Sequence, residues 1–174
     1  MASTDVQYTC RQAVPEDAAV IALMQIRMAD ETENLKLDPA VVAKGVQLPF
    51  QHPNLATYYV VLATSSTPKS EGSQFLNSKG EDIAGMLMTT HEYFPDAAAT
   101  LWWIQSVYTA PDHRKRGVFS KLYKYVEDRS NASPDVMGLR LYVETENVGA
   151  QHTYKKMGMS IEPFLMLKDM KGDF

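Results

Sequence analysis

Cysteine is nearly absent, and Cys10 is the only one in the chain. A lone cysteine closes no disulfide within the molecule, and a zinc site built from several thiolates is excluded. There is no run of about 18 consecutive apolar residues, so a membrane span is not expected. The first ten residues, MASTDVQYTC, lack a basic stretch followed by an apolar one, and no signal peptide is expected there. These absences together set the expectation of a reducing, cytoplasmic location. A broad basic excess is also missing: 17 Lys and Arg stand against 21 Asp and Glu, for a net charge of -4. That balance argues against a general nucleic-acid binder. No G-x-G-x-x-G follows a strand, which sets aside a dinucleotide-binding fold.

What is present suits one domain spanning 1–174, since 174 residues with 45% hydrophobic content can bury a proper core. The most organised stretch is LWWIQSVYTAPDHRKRGVFSKLYKYV, Leu101 to Val126. Its aromatic and branched first part predicts a buried strand over 101–108. Pro111 and Asp112 break that run, and Arg114, Lys115, Arg116 and Gly117 follow. Phe119, Leu122, Tyr123 and Val126 then recur at i, i+3, i+4, i+7, which predicts one apolar face of a helix ending near Asn131 to Pro134. A helix start carries unpaired N–H groups and partial positive charge. Three cations and a glycine in front of it make a place for a polyanion, most simply phosphate. The alternative is a charged surface loop.

Taken in order, the chain predicts a strand over 6–11, a helix from Pro15 to about Ala29, and a second helix from Asp38 to Gln47 or Phe50. A strand follows over 57–63. Residues 64–82 are rich in serine, lysine and glycine, and are expected to form a flexible insertion at a hairpin tip. Strands are then expected over 83–91 and 101–108, with a wider turn around Pro95 and Asp96 between them. After the basic turn and its helix, Leu139, Leu141 and Val143 alternate with polar residues and predict a strand over 139–144, parallel to 101–108. Asn147 caps a helix that Gly158 ends, and 159–168 is expected to supply the last strand.

Two stretches carry a family resemblance. Val107, Pro111, Arg114, Gly117 and Phe119 resemble motif A of the GCN5-related N-acetyltransferase superfamily, V-x-x-x-P-x-x-[R/Q]-x-x-G-x-[G/A]. Phe119 stands where the family has glycine or alanine. Asn147, Ala150, Tyr154, Gly158 and Met159 resemble the family's last-helix pattern, N-x-x-A-x-x-x-Y-x-x-x-G-[F/M]. The resemblance covers nearly the whole chain apart from 64–82. It implies an α/β (mixed α+β) fold: a central, mostly antiparallel twisted sheet flanked by helices, with two splayed parallel strands.

The resemblance also implies an enzyme that moves an acetyl group from acetyl-coenzyme A to a primary amine. Backbone at Ser106, Val107 and Tyr108 is then expected to pair with the pantetheine arm. Arg114, Lys115, Arg116, Gly117, Val118 and Phe119 are expected around the pyrophosphate. Asn147 is expected near the pantetheine and sulfur, or as a plain helix cap, and Tyr154 as the general acid, or as a packed core aromatic. Lys121 and Lys124 reach the adenosine phosphates or are simply solvated. No strand residue in 101–108 is an acid or a histidine, so the base is open. Glu31 and Glu33, between the first two helices, are candidates to bind the acceptor or take its proton, or are solvated. The acidic connector favours a small cationic acceptor, with the protein a monomer or homodimer. Acetylation of protein lysines or an N-terminus, and a non-catalytic coenzyme-binding module, are the competing readings.

Overall fold

The computed structural model describes residues 6–65 and 74–171. The chain divides into two compact units, Met1–Leu141 and Tyr142–Phe174. The first holds strand β1 (Val6–Gln12), helices α1 (Ala18–Glu33) and α2 (Pro39–Gln51), and strands β2 (Thr57–Ser65), β3 (Asp82–Phe94) and β4 (Ala99–Thr109). Helix α3 (Val118–Ala132) and strand β5 (Val136–Leu141) complete it. The sheet order is β1-β2-β3-β4-β5. The first three pairings are antiparallel and the β4–β5 pairing is parallel, as the crossover through α3 predicts.

Strand β2 is buried through Tyr58, Tyr59, Val60 and Val61, which accounts for its unbroken run of branched and aromatic residues. On one side of the sheet, Ile21 and Met24 of α1 pack with Val60, Ile83, Met86 and Tyr108. Helix α3 buries Val118, Leu122, Tyr123 and Val126. The periodicity assigns Phe119 to that buried face, but Val118 takes the place and Phe119 is only half-buried. Gly85 makes this possible. A Cβ there would lie 2.8 Å from the carbonyl oxygen of Tyr108 and 3.3 Å from Cγ1 of Val118.

Several boundaries differ from the expectation. β3 runs to Phe94, and a short turn at Pro95–Ala97 joins it to β4, so Glu92 lies on a strand and not in a loop. β5 covers Val136–Leu141 instead of 139–144. Of the expected insertion 64–82, residues 66–73 lie outside the described ones. The rest is packed: Phe75 joins the core, and Asn77 is buried with its amide on Asp17.

The second unit contains helix α4 (Val148–Lys156). Asn147 caps it by accepting a hydrogen bond from the Ala150 N–H at 3.0 Å, and Gly158 leaves it with φ 93°. The strand expected over 159–168 does not form: the chain has no regular secondary structure from 159 to 171. A strand needs a partner ladder, and no described strand pairs with this segment. Pro163 offers no N–H to one. Leu165 and Leu167 are 92% and 90% exposed. No helix among the described residues is long and apolar enough to cross a membrane.

Candidate cofactor site

Strand β4 outruns its parallel partner. Its pairing with β5 extends only from Thr100↔Val136 to Ile104↔Leu141, while β4 continues to Thr109. Residues 105–109 therefore have no strand partner on the β5 side among the described residues. The pairing of β3 with β4 shifts here too. Met88 faces Ser106 and Thr89 faces Ile104, which leaves Gln105 as the extra residue of a bulge. Gln105 donates to the Thr90 hydroxyl at 2.8 Å, and Gln25 of α1 donates to Ser106 Oγ at 2.8 Å. Ser106 and Tyr108 are buried and Val107 is half-buried.

Beyond Thr109 the chain makes a turn whose backbone is unusual in two places. Lys115 has φ 60° and Gly117 has φ 75°, both left-handed. Glycine adopts that conformation freely, whereas lysine pays about 1 kcal/mol or more for it. Gly117 is also the N-cap of α3, and no side chain caps this helix start. The first N–H groups of α3 are thus not claimed by a capping residue. In front of them lies a cleft of about 230 Å³ lined by Thr109, Arg114, Lys115, Gly117, Val118 and Phe119, among others. Phe119 forms a wall of this cleft and does not fill it; its ring sits 6.1 Å from that of Tyr123. Arg116 is exposed and is not on the cleft.

Two contacts hold the turn in place. His113 has Nδ1 3.0 Å from the Tyr8 hydroxyl and Nε2 3.2 Å from Oδ2 of buried Asp82, which ties the turn to β1 and β3. Arg114 donates from Nε to the Thr109 carbonyl oxygen at 3.0 Å and from Nη2 to Glu31 Oε2. Its guanidinium stands over the Tyr108 ring, 5.4 Å from the centroid. The other oxygen of Glu31 accepts from the Tyr108 hydroxyl at 2.7 Å. Glu31 therefore sits at the turn before α3, 83 residues from Arg114 in sequence.

The hydrogen bond from Tyr108, and after it the pairing with Arg114, holds the Glu31 carboxyl below the usual carboxylate range. Burial, with Glu31 beside it, pushes the Tyr108 phenol up to about 12. A carboxylate stabilised in this way is a poor proton acceptor, which weighs against Glu31 as the base. Asp30 is paired with Lys36, and Glu33 is exposed at the end of α1. Lys124 pairs with Glu127 and Asp128 on the surface of α3.

A second polar group is built around Glu92, whose partners the sequence does not signal. Glu92 accepts from Trp103 Nε1 and from Arg140 Nη1 at 2.9 Å, and the Arg140 guanidinium lies over the rings of Phe94 and Trp103. Three strands bring these residues together, and no spacing along the chain signals it. Among the described residues there is no cluster of three or more His, Cys, Asp and Glu that could hold a metal ion.

In the second unit, Asn147 is engaged as the helix cap already described. Tyr154 is half-buried on α4, and burial pushes its phenol up. It is therefore protonated at neutral pH, the state a proton donor needs.

Comparison with known proteins adds the following. A model of the acetyltransferase (GNAT) family matches residues 42–159. A possible acetyltransferase from Clostridium difficile 630 is 27% identical, over 95% of this chain and 99% of its own, with a TM-score of 0.81. An acetyltransferase from Trypanosoma brucei is 15% identical, over 94% of this chain and 100% of its own, with a TM-score of 0.64. An aminoglycoside N-acetyltransferase in complex with CoA is 11% identical, over 99% of this chain and 100% of its own, with a TM-score of 0.71. The last two are likenesses of fold alone. No curated protein matches the chain.

Proposed function

The chain belongs to the acetyltransferase (GNAT) family, and on that footing we propose that it acetylates the primary amine of a small cationic acceptor, using acetyl-coenzyme A. The observation that carries this reading is the uncapped start of α3, opening on a cleft with Arg114 on its wall. Such a place suits a diphosphate, because the N–H groups of a helix start without a side-chain cap act on an anion together with the helix dipole. The N–H groups of Gly117, Val118 and Phe119 and the Arg114 guanidinium would hold it. Lys115 lines the same cleft and adds charge. Arg116 would contribute only at longer range.

Alongside, the part of β4 beyond Ile104 offers backbone at Ser106, Val107 and Tyr108 to an extended amide-bearing arm. Bound acetyl-coenzyme A supplies an activated thioester. Tyr154 would hold the proton for the departing thiolate, a role supported by its place in the last-helix pattern and by its raised pKa. Asn147 would fix the start of that helix. The proposal treats 1–174 as one catalytic domain, and the family match from 42 to 159 spans parts of both units. Glu33, exposed at the end of α1, is left to attract a cationic acceptor, because Glu31 is already bound to Arg114 and Tyr108.

Calorimetry with coenzyme A, followed by thiol-release assays with acetyl-coenzyme A and a panel of polyamines, aminoglycosides and lysine peptides, tests this. Binding in the micromolar range and turnover with a cationic small amine are expected. No binding at millimolar coenzyme A refutes the cofactor assignment, and turnover with peptides alone refutes the acceptor class.

A further inference from the structure

The contacts of Arg114 carry one step more. A guanidinium has five N–H donors in a rigid fork. Here Nε is used by the Thr109 carbonyl oxygen and Nη2 by Glu31, so the Nη1 end has no partner among the described residues. The side chain is gripped from three directions: main chain, carboxylate and the Tyr108 ring beneath it. Glu31 is itself aimed, because the buried Tyr108 hydroxyl holds its other oxygen at 2.7 Å.

We propose that Glu31 is a positioning residue for the cofactor: it locks Arg114 in the orientation that presents Nη1 to a phosphate at the α3 start. This inference rests on the coenzyme A reading above. It reverses what charge alone predicts. A carboxylate beside an anion site repels the anion, so by Coulomb's law its removal should tighten binding. Pre-organisation works the other way, because a free arginine must give up rotamer freedom when the phosphate arrives. Glu31 and Arg114 side chains are 37% and 44% exposed. A pair that exposed contributes little to folding, which leaves orientation as its effect.

The test is a double-mutant cycle read by calorimetry with coenzyme A on the full chain: wild type, Glu31→Gln, Arg114→Ala and the double variant, with melting temperature and kcat measured in parallel. Glu31→Gln is expected to raise Kd about three- to tenfold, the range for immobilising one long side chain. Melting temperature should stay at the wild-type value, and the loss of turnover should appear in KM for acetyl-coenzyme A more than in kcat. In the Arg114→Ala background the same change should have no further effect, since the two act as a unit. Glu31→Asp, which keeps the charge and shortens the reach, should lose affinity as Glu31→Gln does. Tighter or unchanged binding by Glu31→Gln overturns the inference, as do additive losses or a wild-type Kd for Glu31→Asp. If wild type binds coenzyme A and the cycle is additive, only the role of Glu31 falls. If wild type does not bind, both readings fall.

Discussion

Arg11 of β1 grips the carboxylate of Asp17 with both ends of its guanidinium, Nη1 2.6 Å from Oδ2 and Nη2 3.0 Å from Oδ1. Asp17 is fully buried at the entry to α1, and its Oδ1 also accepts from the Asn77 amide at 2.8 Å. Burial alone would raise this carboxyl. The hydrogen bonds from Arg11 and Asn77 outweigh it and hold Asp17 below its ordinary value of 3.8.

The sign of the resulting pH dependence follows from that depression. Its stabilisation is complete above the unfolded value and disappears as pH falls through the lower folded one. Replacing Asp17 by Asn leaves Arg11 with a weaker partner in a buried setting. A loss of about 3 kcal/mol at pH 7 is expected in urea unfolding. The variant should also show a flatter stability profile below pH 4 than wild type, and an equally steep acid limb would contradict the assignment.

Gly85 sets the distance between β3 and the start of α3. A methyl group there meets the Tyr108 carbonyl oxygen at 2.8 Å, a backbone atom that cannot swing aside. Gly85→Ala should cost about 1–3 kcal/mol in thermal unfolding, as overpacking generally does. On the proposed cofactor site, coenzyme A affinity should fall with it, because the displaced neighbours, Tyr108 and Val118, border the turn before α3.

Gly117 presents the opposite case. Nothing lies within 4 Å of a Cβ built on it, so Gly117→Ala meets no clash. The φ of 75° remains, and an alanine held there costs about 1 kcal/mol. A small drop in melting temperature is expected, with a larger loss of coenzyme A binding as the turn relaxes. An intact affinity in calorimetry would remove Gly117 from the site.

For Tyr154, removal of the hydroxyl alone separates proton donation from packing. Tyr154→Phe should lower kcat by about 10²- to 10⁴-fold, with coenzyme A Kd unchanged. In the proposed role the phenol must be protonated, and burial raises its pKa above the ordinary 10.0. The alkaline limb assigned to this group should therefore lie above pH 10. A Phe variant with full turnover would make Tyr154 a packing residue.

The parts of this molecule that could be read from sequence are those where chemistry and order along the chain coincide. Pro111, the basic run and Gly117 lie side by side, so the turn and helix α3 are legible in the sequence. Glu31 and Arg114 are far apart in sequence, and although each is a candidate by itself, nothing pairs them until α1 is laid against β4. Glu92, Trp103 and Arg140 are hidden for the same reason, because adjacency across three strands leaves no period in one dimension. The spacing that puts Phe119 in the helix core fits Val118 almost as well, and Gly85, in another strand, decides between them. The segment 159–168 has apolar content enough for a strand. Hydrophobicity states a need for cover, whereas pairing requires a ladder, and none of the described strands supplies one.

That β4 continues past the end of β5 also bears on solubility. An unpaired strand edge is a template on which neighbouring molecules can aggregate. Along β4 the length without a strand partner on this side is confined to 105–109 among the described residues, and the same side is already paired from Thr100 to Ile104. A foreign strand therefore finds a foothold of a few residues, too short to seed growth.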